Sequence, residues 1–303
     1  EDYLKIQGAW SLPELKKATS QVTTQSMRNS IAALRHELSA AANTPLVLRT
    51  FRDQRSLDFV THDDVVTLSQ QGPATPDHVI RSKQLPMVGR DIDNYTQAYR
   101  DYFKLHAANA SETKSILDPA PRVILDKEIG LCCAGHSAKD AKIVGDIYQH
   151  TIEVILRATA LEGYQALPAK DIFDMEYWDL EQAKLKKSGN PPLFQGEVVL
   201  ITGAASGIGQ ACVNGFLNRG AAVIGLDINQ IVTQSHDRTD YLGLQCDVTH
   251  EDQIQDCLEQ AVRYFGGIDM LILNAGIFPG GCRIDTLSNS DWHKVFAVNL
   301  DAN

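Results

Sequence analysis

Thr202-Gly203-Ala204-Ala205-Ser206-Gly207-Ile208-Gly209 is the stretch on which the reading of this chain turns. It follows a short apolar run, Val198 to Ile201, and opens a helical pattern whose apolar face is Ile208, Cys212, Phe216 and Leu217, ended by Gly220. Glycines at such a junction let the backbone turn sharply and bring its N–H groups close to a pyrophosphate, whose charge the first turn of the helix stabilises. The spacing is GxxxGxG rather than GxGxxG. An ordinary strand-to-helix turn also uses glycines, so the surrounding sequence has to decide between the two.

Downstream, wholly apolar runs at Ala221 to Leu226, Tyr241 to Cys246 and Met270 to Leu273 alternate with amphipathic segments. Runs apolar on both faces and separated by helices predict a parallel sheet covered on both sides. Thr249 with Asp252 predicts the start of a helix whose face is Ile254, Cys257, Leu258, Ala261, Val262 and Phe265, ended by Gly266. Asp227 closes the second run, 24 residues beyond Gly203. A carboxylate there can accept hydrogen bonds from both hydroxyls of an adenosine ribose and would repel a 2'-phosphate. With no Arg or Lys at Ala205, Ser206 or Ile228, NAD is favoured over NADP. The plainer alternative is that Asp227 merely ends a strand and caps the next turn.

Asp247-Val248 follows the third run and Asn274-Ala275-Gly276 the fourth, which puts four motifs in order. With them, residues 196–303 resemble the first half of a short-chain dehydrogenase. The fold expected is α/β, a Rossmann-type doubly wound parallel sheet, here incomplete. The resemblance implies a cofactor-binding set of Gly203, Ser206, Gly207, Ile208, Gly209, Asp227, Asp247, Val248, Asn274, Ala275 and Gly276. It gives Asp247 the adenine amino group, and the Asn-Ala-Gly turn the support of the sheet and the lining of the groove. It implies a catalytic part for Asn299, the helix asparagine that holds a proton-relaying water; without the resemblance, Asn299 is simply a polar residue in a helix. The family's general acid is a tyrosine in a YxxxK pair preceded by a serine, and these are expected past Asn303. Tyr241 and Tyr264 are read as structural. The chain as given is therefore expected to be inactive as a dehydrogenase, the intact protein active.

Upstream, Lys186-Lys-Ser-Gly-Asn-Pro-Pro192 resists helix and strand alike and marks a boundary. The expected organisation is a first domain over 1–188, a linker over 189–195 and the dinucleotide domain over 196–303. In the first domain, Ser11-Leu-Pro-Glu14 predicts the start of a helix running to about Leu38. Pro45 to Leu48 and Leu57 to Val60 are β-type runs, and Gly72 to Asp77 is an ordered loop. Tyr95, Tyr99, Tyr102, Phe103 and His106 predict an aromatic helix face. Arg122 to Asp126 and Leu131 to Cys133 predict a hairpin, and Ser137 with Asp140 starts a helix that Gly163 ends.

Gly72-Pro-Ala-Thr-Pro-Asp-His78-Val-Ile-Arg81-Ser-Lys83 and Glu176-Tyr-Trp-Asp-Leu-Glu-Gln-Ala-Lys184 resemble the later part of the aldolase half of bifunctional class II aldolase/short-chain dehydrogenase proteins, so an α/β class II aldolase/adducin-like domain is expected. Such aldolases hold a divalent metal, usually zinc, through an HxH pair and a further histidine. No HxH occurs here, so no metal ligand is assigned and a zinc site is expected upstream of Glu1. His62 and His78 are candidates for a polar role, against the plainer reading of loop histidines bonded to their neighbours. Arg81 and Lys83 are candidates for a substrate phosphate, against a solvated basic edge.

A net charge of −10 leaves little to attract nucleic acid or an anionic membrane, and no stretch approaches the roughly 18 apolar residues of a membrane span. Cys132, Cys133, Cys212, Cys246, Cys257 and Cys282 show no CxxC or zinc spacing, which with no signal-like start points to reduced thiols in a cytoplasmic protein. Glu1 is not an initiator methionine, so the chain is expected to be a piece of a longer one. The resemblance implies a homo-oligomer, a dimer or tetramer, acting on a small molecule of deoxysugar breakdown, such as a lactaldehyde-like alcohol or aldehyde. The alternatives are a metal-dependent aldolase whose nucleotide domain has lost its chemistry, or an adducin-like scaffold.

Overall fold

The computed structural model describes residues 2–6, 8, 24–110, 112–185, 190–278, 280–281 and 283–303. The helix start expected at Ser11, most of the basic stretch before Pro191, and Cys282 lie outside them. The chain divides into two compact units, Glu1–Pro191 and Pro192–Asn303.

In the first unit, short helix α1 (Asp2–Ile6) and long helix α2 (Thr24–Ala42) precede strand β1 (Val47–Phe51). The β-type run at Leu57 to Val60 is a helix, not a strand: it belongs to α3 (Gln54–Val60). Asp53 decides this, because its carboxylate accepts from the Ser56 N–H and hydroxyl and caps the first turn. Helix α4 (Val65–Ser69) and a 3₁₀ turn at Pro76–His78 lead into the single-turn helix α5 (Val79–Ser82). Strand β2 (Met87–Val88) then precedes the aromatic helix α6 (Ile92–Ala107). The expected hairpin is β3 (Val123–Asp126) and β4 (Gly130–Gly135), with Ile124 opposite Cys132. Helix α7 (Ala138–Leu161) starts where expected, the Ser137 hydroxyl accepting from the Asp140 N–H. Helices α8 (Ala169–Glu176) and α9 (Asp179–Leu185) complete the unit. The sheet order is β1-β4-β3-β2, antiparallel but for the parallel β2/β3 pair. Val144, Tyr148, Ile152 and Ile155 of α7 pack on Leu125, Leu131 and Cys133 of the hairpin.

One ionic contact fixes that hairpin. Asp126 is 8% exposed, accepts two hydrogen bonds from Arg90 at 2.7 and 2.9 Å, and receives the backbone N–H groups of Glu128 and Ile129 inside the turn. Burial alone would raise its carboxyl; the Arg90 hydrogen bonds, the Ile129 N–H, the Arg90 charge and the Glu128 N–H outweigh it and hold the pKa below the aspartate range. A depressed folded-state pKa gives stability that is full above the unfolded value near 3.8 and is lost as pH falls through the folded one. Asp126→Asn, which keeps the shape but not the charge, is expected to cost about 2 kcal/mol at neutral pH. Chemical denaturation should also show the variant losing less stability on acidification than the parent.

In the second unit, strand β5 (Val198–Thr202), helix α10 (Gly207–Leu217), strand β6 (Ala222–Asp227), a 3₁₀ turn at Gln230–Gln234, strand β7 (Tyr241–Gln245), helix α11 (Glu251–Phe265) and strand β8 (Met270–Ile272) alternate as the sequence predicts. Helix α12 (Asn289–Phe296) continues into a π-helical turn at Ala297–Asp301. All pairs are parallel, in the order β7-β6-β5-β8. That order reverses direction between β5 and β8, which opens a crevice at the carboxyl ends of those strands. Val199, Ile201 and Val223 of the strands pack on Val213 and Leu217 of α10. Helix α11 differs from expectation at its start: His250 is the cap residue, and the Thr249 hydroxyl turns back to Asp247 at 2.7 Å. Tyr241 is buried and donates to the Val232 carbonyl, as befits a structural residue.

Among the described residues, no helix is long and apolar enough to cross a membrane. Cys132, Cys133, Cys246 and Cys257 are buried free thiols, and Cys212 is partly buried.

Candidate functional site

The glycine-rich stretch lies at the carboxyl end of β5, where the crevice opens. Gly203 and Gly207 hold φ of 68° and 56°, left-handed values that cost an L side chain strain. At Gly209 the constraint is contact: an added Cβ would lie 2.1 Å from the Gly203 carbonyl oxygen. These positions let α10 begin directly against the loop. The N–H groups of its first turn have no acceptor within the helix and are oriented for an anion. Ser206 is the cap residue by backbone geometry, yet its side chain makes no capping hydrogen bond, so the hydroxyl remains open to a ligand. Ile208 is 76% exposed beside it.

Asp227 lies at the tip of β6 and reaches back over the loop. Its Oδ2 accepts from the Ala205 N–H at 2.9 Å and its Oδ1 from the Asn229 N–H at 2.9 Å. The carboxylate and the glycine loop are thus brought together. Asp247 and Val248 follow β7, both partly buried. Asp247 Oδ1 accepts from the Thr249 N–H and hydroxyl, and His250 Nδ1 stands 3.4 Å from Oδ2. The Thr249 hydroxyl and N–H, helped by His250 and opposed by slight burial, hold the Asp247 carboxyl below the usual aspartate range.

Asn274, Ala275 and Gly276 leave β8 beside the loop. The Asn274 side chain donates to the Thr202 carbonyl at 2.9 Å and the Gly203 carbonyl at 3.3 Å. Thr202, which the sequence reading passes over, takes part in the same clamp: its hydroxyl accepts from the N–H groups of both Asn274 and Ala275 at 2.9 Å. Its only sequence signal is its place at the head of the glycine-rich stretch. Asn299 sits in the π-helical turn, and its amide exchanges two hydrogen bonds with the Ile277 backbone, at 2.8 and 2.9 Å. It therefore ties the chain after Gly276 to the helix instead of standing apart on a helix face.

The first unit resolves the remaining candidates. His62 is a loop histidine whose Nδ1 accepts from the Asp64 N–H. His78 has a buried Nδ1 with no hydrogen-bond partner among the described residues, and burial, partly offset by Asp77 and reinforced by His150, lowers its pKa. Arg81 pairs with Asp140 at 3.2 Å. Lys83 does not lie on a solvated basic edge; it is buried. Among the described residues, no group of three or more His, Cys, Asp or Glu side chains is placed to hold a metal ion.

Two family models match the chain in succession. Residues 25–185 match the family model for the class II aldolase second domain, and residues 197–303 the model for short-chain dehydrogenases. The chain is 30% identical over 262 residues to the uncharacterized oxidoreductase YuxG of Bacillus subtilis, which covers 78% of this chain and 37% of that protein. It is 39% identical over 111 residues to the short chain dehydrogenase adrF of Penicillium roqueforti, covering 36% of this chain and 43% of the relative. It is 40% identical over 114 residues to a CLA biosynthesis dehydrogenase/reductase of Lactiplantibacillus plantarum, covering 35% and 39%. The chain thus spans less than half the length of each of these curated relatives. It belongs to the class II aldolase second-domain family over residues 25–185 and carries a short-chain dehydrogenase domain over residues 197–303, the two fused in one polypeptide.

Proposed function

We propose that this chain is the dinucleotide-holding portion of an NAD-dependent oxidoreductase of the short-chain dehydrogenase type, fused to its aldolase-related unit. The observation that carries the reading is the Asp227 carboxylate lying within hydrogen-bond reach of the glycine loop, bonded to the Ala205 N–H. A ligand that places a pyrophosphate at Gly203, Gly207 and Gly209 and a ribose at Asp227 is an adenine dinucleotide, and the residues present fit it: a helix start without a side-chain cap, an open Ser206 hydroxyl and three glycines where the backbone turns. The bound nicotinamide would supply hydride acceptance or donation.

In this reading Asp247 and Val248 hold the adenine end, and Asn274, Ala275 and Gly276 form the groove wall, fixed by Thr202. Asn299 keeps that wall attached to the helix that follows. The substrate class is a small alcohol or aldehyde from carbohydrate breakdown, and it rests on the family likeness alone.

Titrating the chain with NADH and NADPH by fluorescence tests the cofactor assignment. NADH is expected to bind at least about tenfold more tightly, since the Asp227 charge faces the 2'-phosphate of NADPH. Equal affinity, or no binding of either, would remove the assignment.

A further inference from the structure

Among the described residues, β7 is an edge strand: the order β7-β6-β5-β8 gives it a neighbour on one side only. Backbone N–H groups along a strand point alternately to its two sides, so on an edge strand every second one has no strand to bond. Cys246, the first residue past β7, turns its N–H inward and donates to the Asp227 carbonyl at 2.8 Å, tying the two strand tips together. The N–H of Asp247 therefore falls on the open side, where the sheet supplies no acceptor. A side chain supplies one: Gln253 Oε1, in the first turn of α11, accepts this N–H at 2.8 Å.

The Asp247 carboxylate is held as well, and unevenly. Oδ1 accepts the Thr249 N–H at 3.0 Å and the Thr249 hydroxyl at 2.7 Å. Oδ2 faces His250 Nδ1 at 3.4 Å, a longer contact, so it is the oxygen with capacity left for a ligand donor. With Oδ1 fixed by the turn, the direction of Oδ2 follows from the backbone at Asp247. That backbone is pinned on one side by the Cys246 tie and on the other by Gln253. Gln253 itself is exposed, while α11 is anchored to the unit by its buried residues Cys257, Ala261, Val262 and Phe265. A helix held by that apolar face has little need of an exposed amide at its start.

We propose that Gln253 is a positioning residue for the adenine end of the dinucleotide, acting through the Asp247 backbone to aim Oδ2 at an exocyclic amino group. The inference rests on the reading of Asp247 as the adenine-holding residue and adds the group that sets its direction. Without the Gln253 acceptor the Asp247 N–H turns to solvent, and the segment between β7 and α11 is held by the Cys246 tie and its own turn. Oδ2 then samples a range of directions, and its hydrogen bond to the amino group weakens. The pyrophosphate contacts at the glycine loop stay as they were, so the loss falls on ligands that carry the amino group.

Fluorescence titration of the chain with NADH and with its deamino analogue, in which hypoxanthine puts a carbonyl where adenine has the amino group, tests this. The parent is expected to bind NADH about tenfold more tightly than the analogue, the worth of one hydrogen bond to a charged acceptor. Gln253→Ala is expected to lower that ratio to about twofold, mainly through weaker NADH binding. Gln253→Glu, whose carboxylate accepts the same N–H, should restore the ratio, because its added charge acts on both ligands alike. A Gln253→Ala ratio equal to the parent's, whether or not both affinities fall, would overturn the proposal and leave Gln253 as a brace of the helix start. A ratio that stays low in Gln253→Glu would overturn it too. A parent with no preference for NADH overturns it through Asp247, and a parent that binds neither ligand overturns the cofactor reading beneath it.

Discussion

Gly209→Ala is expected to lower NADH affinity by a factor on the order of 100 and to cost about 2 kcal/mol of stability, as an overpacked site does. The added Cβ would sit 2.1 Å from the Gly203 oxygen and 2.7 Å from both the Gly203 carbonyl carbon and Asn274 Nδ2. The first two are backbone atoms, so no side-chain rotation relieves the clash. The start of α10 must move away from β5, and the Gly203 carbonyl then loses its place against the Asn274 amide. Both the first-turn N–H groups of α10 proposed to hold a pyrophosphate and the clamp to the Asn-Ala-Gly turn are displaced together.

Gly207→Ala is the informative contrast. Its Cβ would meet nothing within 4 Å, so only the left-handed φ of 56° penalises it. The cost is about 1 kcal/mol, with a correspondingly smaller loss of affinity. Fluorescence titration with NADH and thermal melting of both variants separate crowding from strain. Unchanged NADH affinity in Gly209→Ala would mean that the dinucleotide does not lie on this loop.

The second unit was legible in sequence because its strands are buried on both faces. Val198 to Ile201 and Ala221 to Leu226 carry no polar residue whose placement could mislead, and their tips supply Gly203 and Asp227 at a fixed separation. What could not be read were partnerships across long loops. The Thr202 hydroxyl bonds two N–H groups more than seventy residues away, and no local pattern announces that. In the first unit Leu57-Asp-Phe-Val60 reads as a β-type run by residue type, while the Asp53 carboxylate, four residues earlier, caps a helix there. The two stretches quoted for the aldolase resemblance supply Lys83 and Glu176. Their meeting 93 positions apart is a product of tertiary packing that neither stretch encodes alone.

Asp227→Ala should reduce NADH affinity by about 2–3 kcal/mol, on the order of 100-fold, since it removes a charged acceptor for two ribose hydroxyls. Each carboxylate oxygen spends one lone pair on a backbone N–H, Ala205 or Asn229, and keeps another for the ligand. The same substitution removes the charge that repels a 2'-phosphate, so NADPH affinity should hold or improve and the preference between the two cofactors should collapse. Part of the NADH loss would come from the Ala205 N–H, which loses its acceptor and with it some order in the loop. Asp227→Asn isolates that part: its amide oxygen still accepts from one N–H, while the negative charge and one acceptor oxygen are gone. If charge sets cofactor choice, Asp227→Asn loses the preference for NADH while retaining more NADH affinity than the alanine variant. A NADH to NADPH affinity ratio left at the parental value in both variants would show that Asp227 ends a strand and braces a turn, with no part in reading the ribose.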